Sequence, residues 1–297
     1  MNNAAQEVSN ALADAVERVT ASVVRVESGR RRAASGLVWS SDGLILTAAH
    51  SLEREDGLEV HFESGETRAA TLLGADLGSD VALLQTEGES LVSPERAPAE
   101  SIRRGQLVLS LSRPGRSARS SLGVVSALAD EWRGPGGAKI ERYIQTDVSV
   151  DSGFSGGPLI DVSGRLIGMN SAGLLRATAL CLAAATLERV VGALLAHGRI
   201  QRGYLGISSV PARLPRAVAE SVGQGVGLVL TGLQPGGPAE QSGLLIGDVL
   251  LGLNGARLES IADLQAALED RALCPVPLRV LRAGAPLEVP VTPSVRS

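Results

Sequence analysis

Aromatic residues are almost missing from this chain, at 2% of 297 residues, so a core of any size has to be filled by Val, Leu, Ile and Ala. Cysteine is equally scarce. Cys181 and Cys274 lie far apart and lack the paired spacing that binds zinc or runs a redox cycle, so both read as small, buried apolar residues. Strong net charge is absent as well. A formal charge of −4 leaves no electrostatic footprint for nucleic acid, and the short Arg30-Arg31-Arg32 cluster reads as a solvated turn. No run approaches the ~18 uninterrupted apolar residues of a membrane span; the nearest, Ala177 to Leu187, is too short. The opening MNNAAQEVSN has neither a basic start nor an apolar stretch, so it does not read as a signal peptide. The expectation is a cytoplasmic protein, although a mature form cut from an exported precursor would look the same. No metal or nucleotide cofactor is indicated. The glycines of Gly223-Gln224-Gly225-Val226-Gly227 resemble a phosphate loop only superficially, because a β-strand and not a helix follows.

What is present is ordinary globular composition, 44% apolar and 20% charged, over a length that suits two folding units. Val8, Leu12, Val16 and Val19 recur at helical spacing, predicting an amphipathic helix over residues 1–20 that leads into a strand at Val23 to Val26. From there to about residue 184 short β-prone runs alternate with Gly, Asp and Ser: Gly36–Trp39, Leu44–Thr47, Leu58–Phe62, Val81–Gln85, Leu107–Leu111, Leu122–Ser126, Tyr143–Thr146 and Leu166–Asn170. This texture predicts a sandwich or barrels. Ser93-Pro94-Glu95-Arg96-Ala97-Pro98 interrupts it where a connector between two half-domains would fall. Leu187, Val190, Val191, Leu194 and Leu195 mark a closing helix with one buried face, stopped by Gly198. After Arg202 a smaller mixed α/β module follows, with strands near 205–209, 226–232, 248–254, 276–281 and 286–291 and a helix near 260–269.

Amide hydrolysis by a hydroxyl needs a nucleophile, a base, a carboxylate to orient the base, and donors for the developing oxyanion. Asp151-Ser152-Gly153-Phe154-Ser155-Gly156-Gly157-Pro158 sets a serine among glycines between two β-prone runs. Such glycines can turn successive N–H groups into one concavity, here those of Gly153 and Ser155; a lone fragment of this kind is as often a hairpin turn. His50 ends an apolar strand running into small residues, whereas His61 falls within a strand pattern and His197 in the last turn of a helix, where both read as structural. Asp80 heads the apolar strand Asp80-Val81-Ala82-Leu83-Leu84; Asp76, four positions earlier, competes for its role but does not abut that strand. The chain order His, Asp, Ser is that of the chymotrypsin type, with His50 and Asp80 in the first β half and Ser155 in the second.

These residues resemble the HtrA/Deg family of PDZ-bearing serine proteases. The similarity runs through Gly43–His50, Asp80–Leu84, Gly123–Ser126, Ile144–Leu159, Gly164–Ser171 and Arg189–Ile207, and then through the C-terminal module. The resemblance implies a mainly β fold: a chymotrypsin-like double β-barrel over residues 1–198, followed by an α/β PDZ domain over 199–297. Within the first domain it places the helix at 1–20, barrels at about 21–95 and 104–185, and a closing helix at 186–197. It implies Ser155 as nucleophile, His50 as general base and then acid, Asp80 as orienting carboxylate, and the Gly153 and Ser155 amides as the oxyanion hole. Ser171-Ala172-Gly173 is similar to the strand that pairs with substrate backbone. Tyr204-Leu205-Gly206-Ile207 is similar to the loop that grips a C-terminal carboxylate, with Leu264 on the helix flanking the peptide groove. Implied partners are unfolded or C-terminally tagged proteins, C-terminal peptides at the PDZ domain, and two further copies in a homotrimer. In the family, a loop placed like Ala129 to Arg142, which carries Trp132, senses PDZ occupancy and orders the active site. The chain departs from the family in three respects: Phe154 stands where a polar residue usually precedes the nucleophile, there is one PDZ-like unit, and no aromatic residue precedes Trp39 to make the usual trimer contacts. Phe154 and the groove at Tyr204 also motivate a second reading, a peptide-sensing or chaperone-like binder with incidental proteolysis.

Overall fold

The computed structural model describes residues 4–29, 33–88, 90–134, 137–149, 151, 153–175, 178–269, 271 and 273–295. The Arg30–Arg32 cluster, Ser152 and Ala177 lie outside the described residues. The chain divides into two compact units, residues 1–200 and 201–297.

The first unit opens with helix α1 (Ala4–Thr20). Only the second half of its apolar stripe docks: Ala15 and Val19 are buried with Leu109, Leu111 and Ile160, while Val8 is 53% exposed, against the expectation of one continuous face. Six strands then close a barrel in the order β1-β2-β3-β6-β5-β4. They are β1 (Val23–Ser28), β2 (Ala34–Val38), β3 (Leu44–Thr47), β4 (Leu58–His61), β5 (Thr67–Asp76) and β6 (Val81–Thr86). A second six-stranded barrel follows, in the order β11-β14-β13-β12-β7-β8. Its elements are β7 (Leu107–Ser112), β8 (Arg119–Ala129), the small hairpin β9 (Trp132–Arg133) and β10 (Lys139–Ile140), β11 (Tyr143–Thr146), β12 (Pro158–Asp161), β13 (Leu166–Ser171) and β14 (Ala179–Ala183). Helix α2 (Ala184–His197) closes the unit and ends on Gly198, whose left-handed φ of 68° lets its N–H reach Leu194 O. Leu195, expected on the buried face of α2, is 53% exposed.

Strand β3 is buried along its whole length, and β6 at every residue but Gln85, because both faces are covered. Ile45 and Leu84 point into the first barrel with Val24, Val38 and Val60. Leu44, Leu46, Val81 and Leu83 point the other way, against Met169 and Leu182 of the second barrel and Leu187 and Val190 of α2. Each fully buried aliphatic side chain of this kind contributes about 1.5–3 kcal/mol. These are the strands that deliver Asp80 and His50, so both residues stand on well-buried strands. The connector at 93–98 is tied down, not free: Ala97 N–H donates to Leu166 O and Leu166 N–H to Glu95 O.

The periodicity did not reveal β5, β12 or β14. Their Ala-rich or Pro-led sequences, TRAATLLGAD, PLID and ALCLA, carry weak intrinsic strand preference and are held by pairing on both sides. The two cysteines part company: Cys181 is buried inside the second barrel, where burial pushes its thiol pKa up, whereas Cys274 is exposed in a turn, contrary to expectation.

The second unit holds β15 (Gly203–Tyr204), β16 (Ile207–Arg213), α3 (Arg216–Val222), β17 (Val226–Leu233), α4 (Pro238–Gln241), β18 (Val249–Leu253), β19 (Ala256–Arg257), α5 (Ile261–Leu268), β20 (Val276–Arg282), β21 (Ala285–Val291) and β22 (Ser294–Val295). The main sheet runs β16-β17-β18-β20-β21, which leaves β16 at an edge and accommodates its Pro211. The strand expected from 205 begins at Ile207, because Gly206 turns left-handed at φ 73°. The helices α3 and α4, short and led by prolines, were not anticipated. The helix expected near 260–269 is α5, started by a capping box between Ser260 and Asp263.

Candidate active site

His50 sits in a single 3-10 turn (Ala49–Ser51) at the end of β3, and Asp80 sits just before β6, so pairing of these two strands brings both residues to one end of the first barrel. Asp80 is 2% exposed and adopts a left-handed φ of 58°, an uncommon conformation for a side-chain-bearing residue. Its carboxylate accepts from the His50 backbone N–H at 2.9 Å, lies 2.8 Å from His50 Nδ1 through either oxygen, and accepts the Ser171 hydroxyl at 2.5 Å. A carboxylate can only accept, so Nδ1 carries the proton and Nε2 presents its lone pair. The hydrogen bond to Asp80 is the largest influence on His50 and raises its pKa above 6.5, with burial opposing and the Asp80 charge assisting. The competing Asp76 is committed elsewhere: its Oδ2 accepts the Ser79 N–H at 2.8 Å and the Ser79 hydroxyl at 2.6 Å, which shapes the turn that presents Asp80.

Ser155 comes from the second barrel, just before β12, and is 7% exposed. Its hydroxyl accepts the Ala172 N–H at 3.0 Å, and His50 Nε2 lies 3.4 Å from Ser51 Oγ. Gly153 takes a φ of 87° and Gly156 one of 89°. Around them Phe154 N–H donates to Asp151 O, Gly156 N–H to Asn170 O and Gly157 N–H to Phe154 O. The N–H groups of Gly153 and Ser155 donate to no backbone carbonyl among the described residues. The Phe154 ring is 3% exposed and packs in the interior of the second barrel with Val148, Ala179 and Cys181, so the turn houses it without bringing it into the site.

Ser171, Ala172 and Gly173 are brought to the same place, in roles that residue type alone did not signal. Ser171 is a third donor to Asp80, Ala172 donates to Ser155, and the Gly173 N–H donates to Ser171 Oγ at 3.2 Å. A Cβ on Gly173 would stand 2.5 Å from His50 Nδ1 and 2.8 Å from Asp80 Oδ2. Gly173→Ala should therefore displace the imidazole and lower kcat/KM at least ~100-fold, with melting temperature little changed. Peptide hydrolysis beside a melting curve checks this, and wild-type turnover would mean that the 171–173 segment yields instead.

Away from this cleft, His61 faces Glu27 and Glu59, whose ligand atoms lie within 4.8 Å of one another and of the ring. The Arg25 guanidinium already pairs with Glu27 there, and burial first, then Arg25, lowers the His61 pKa. The group is a part-buried ion cluster on β1 and β4, with His61 Nε2 3.2 Å from Glu27 and His61 Nδ1 2.8 Å from the Thr67 hydroxyl.

In the second unit the Leu205 and Gly206 carbonyls are bound by the N–H groups of Ala239 (2.9 Å) and Gln234 (2.7 Å), and the Tyr204 hydroxyl donates to Gln234 Oε1 (2.6 Å). With the carbonyls held inward, the Leu205 and Gly206 N–H groups donate to no backbone carbonyl among the described residues. Leu205 and Leu264 are buried in the core between sheet and α5, and Ile207 is partly buried against it.

A trypsin-like peptidase domain model matches residues 34–169, and a PDZ domain model matches residues 229–282. A putative serine protease HhoB of Synechocystis is 31% identical over 274 residues, covering 87% of this chain and 65% of the relative. A probable periplasmic serine endoprotease, DegP-like, of Ectopseudomonas mendocina is 33% identical over 260 residues, covering 84% of this chain and 54% of the relative. The HtrA-type protease AlgW with tripeptide superposes with a TM-score of 0.77 at 28% identity, covering 96% of this chain and 97% of that one. The chain pairs a trypsin-like peptidase domain with a PDZ domain and is similar to HtrA/Deg serine endoproteases. The serine endoprotease from Yersinia pestis superposes over 96% of this chain and 98% of that one, with a TM-score of 0.79 at 26% identity. The chain spans between about half and two thirds of the length of the curated HtrA relatives it matches, 53% and 65% for two of them. Several of these relatives are named periplasmic, and among the described residues no helix is long and apolar enough to cross a membrane.

Proposed function

We propose that this chain is a serine endopeptidase acting on unfolded or C-terminally tagged proteins, with a PDZ domain that binds C-terminal peptides to recruit substrate or trigger activity. The observation that supports the reading is the convergence of His50, Asp80 and Ser155 on the 171–173 segment, where Asp80 accepts the Ser171 hydroxyl, Ser155 Oγ accepts the Ala172 N–H and Gly173 lies against the His50 ring, beside the Gly153 and Ser155 N–H groups, which donate to no backbone carbonyl among the described residues. Ser155 Oγ attacks the scissile carbonyl carbon while His50 Nε2 takes its proton. The carbonyl oxygen becomes an oxyanion received by the Gly153 and Ser155 amides. Collapse breaks the C–N bond as His50 returns the proton to the leaving amine, and a water repeats the two steps on the acyl-enzyme. Asp80 holds the ring and the charge it gains.

Substrate backbone would lie along Ser171 to Gly173, where Gly173 leaves room beside the imidazole. A C-terminal carboxylate would meet the Leu205 and Gly206 amides, the peptide adding as a strand to the edge of β16 with its last side chain toward Leu264. The solved relatives with bound peptides support this. The relatives' names favour an exported protein over the cytoplasmic one expected from the N-terminus. Assembly as a homotrimer belongs to the reading through the family resemblance alone.

Cleavage of casein by the purified chain, with and without a hydrophobic C-terminal peptide, tests the function. Trp132 gives a parallel signal: it packs edge-on to Tyr143 at 5.4 Å between ring centroids and against the cluster containing Leu174, next to the 171–173 segment. Trp39, buried under the Arg96 guanidinium, supplies a constant background. Peptide should raise the cleavage rate and shift the Trp132 emission together; an emission unchanged at saturating peptide would remove the relay.

A further inference from the structure

Among the described residues, one side chain of the first barrel, Ser35, hydrogen-bonds to the loop that carries Ser155. Ser35, in β2, is fully buried. Its Oγ accepts the Arg113 N–H at 2.8 Å and donates to the Gly153 carbonyl. The direction is forced: the Arg113 amide can only donate, so the hydroxyl spends a lone pair there and its single proton goes to Gly153. Arg113 is itself immobilised. Its buried guanidinium donates to Val23 O (2.7 Å) and Arg116 O (2.8 Å) and stands 3.4 Å from Glu63. The rest of the Ser35 surroundings leaves little slack. Thr47 Oγ1 donates to the Ser35 carbonyl at 2.7 Å, and a Cβ on Gly156 would come within 2.0 Å of that carbonyl.

The peptide joining Gly153 to Phe154 is thereby held at both ends, its carbonyl by Ser35 and its N–H by Asp151 O at 3.0 Å. A peptide group is planar, so fixing both ends fixes its rotation. The amides on either side of it are those of Gly153 and Ser155. A glycine at φ 87° has no side chain to resist rotation, so its orientation must come from outside the residue. We propose that Ser35 is a positioning residue for the oxyanion hole: by holding the Gly153 carbonyl in the seam between the barrels, it keeps the Gly153 and Ser155 N–H groups turned to the reacting carbonyl. This rests on the reading of Ser155 as nucleophile and of those two amides as oxyanion donors.

Ser35→Ala removes the hydroxyl and leaves the Gly153 carbonyl and the Arg113 amide unpaired. Because loss of one oxyanion donor costs about 10²–10³ in kcat, a donor that is misaimed but still present should lower kcat by roughly 10- to 100-fold, with KM within about twofold. A peptide aldehyde, which forms a tetrahedral oxyanion adduct, should lose affinity by a similar factor, while the matching peptide amide, which forms none, should bind as before. Ser35→Cys keeps the buried shape with a weak donor and should show the same selective loss even if alanine disturbs folding; Ser35→Thr keeps the hydroxyl and should restore most of kcat. Wild-type kcat and aldehyde affinity in both Ala and Cys variants would overturn the proposal. So would parallel loss of aldehyde and amide binding, which marks general disruption. A wild-type chain that neither cleaves peptides nor is labelled at Ser155 by a fluorophosphonate would instead overturn the function on which the proposal rests.

Discussion

Ser155→Ala should abolish cleavage, lowering turnover of casein by at least ~10³-fold, because members of a triad act as a unit and removal of the nucleophile leaves only binding and electrostatic stabilisation. Nothing else in the fold should change. Ser155 is a small side chain whose hydroxyl accepts a single amide, from Ala172, and the turn around it is held by backbone hydrogen bonds of Phe154, Gly156 and Gly157 and by the Ser35 hydroxyl on the Gly153 carbonyl. The variant should keep the wild-type melting temperature and still bind C-terminal peptides at the second unit. Cleavage by purified wild type beside the variant reads this directly. Loss in the variant alone establishes a serine peptidase; equal and negligible rates in both would promote the peptide-binding or chaperone-like reading.

Asp80→Asn should cost about 10⁴-fold in kcat and also move the pH profile. In the wild type, Asp80 raises the His50 pKa above 6.5. The imidazole must be neutral at Nε2 to accept a proton, so kcat/KM should rise with pH through a limb that lies above 6.5. The same shift makes an opposite contribution to stability. A raised folded-state pKa stabilises the protein fully below the unfolded value of about 6.5, and that contribution fades as pH climbs through the folded value. Activity therefore appears where this part of the stability is given up. With asparagine in place of aspartate the hydrogen-bonding and charge influences go and burial remains, so the residual activity should show its acid limb at lower pH. A limb that did not move would assign the titration to a group other than His50.

The Asn variant also leaves the Ser171 hydroxyl without its carboxylate, a loss visible only in three dimensions. Ser171 and Gly173 are far from Asp80 in the chain and look like the unremarkable end of a strand. Their contacts with Asp80 and His50 exist because the second barrel lays β13 against the end of the first. Ser35 is the same kind of residue: a small polar side chain in an apolar strand, given a task only when the nucleophile turn arrives across the seam.

The chain's own pattern was enough to identify the class of fold, the family resemblance, and a short set of candidate chemical residues. Glycine-framed Ser155, His50 after an apolar strand and Asp80 before one are local statements, since each combines a reactive side chain with a backbone context that neighbouring residues dictate. The double barrel and the mixed C-terminal module were legible because strands such as Leu44–Thr47 and Val81–Thr86 carry strong β preference and Gly198 stops a helix by local geometry. Tertiary structure alone decided the rest. It recruited the weakly biased β5, β12 and β14 through pairing on both sides, left Val8 and Leu195 exposed where periodicity predicted burial, and separated Asp80 from Asp76 by giving the latter to its own turn. It also decided which amides donate to no backbone carbonyl among the described residues. A backbone N–H has no identity in a sequence; whether Gly153 and Ser155 spend theirs on a carbonyl depends on hydrogen bonds closed between the two barrels, and those close only when the chain is folded.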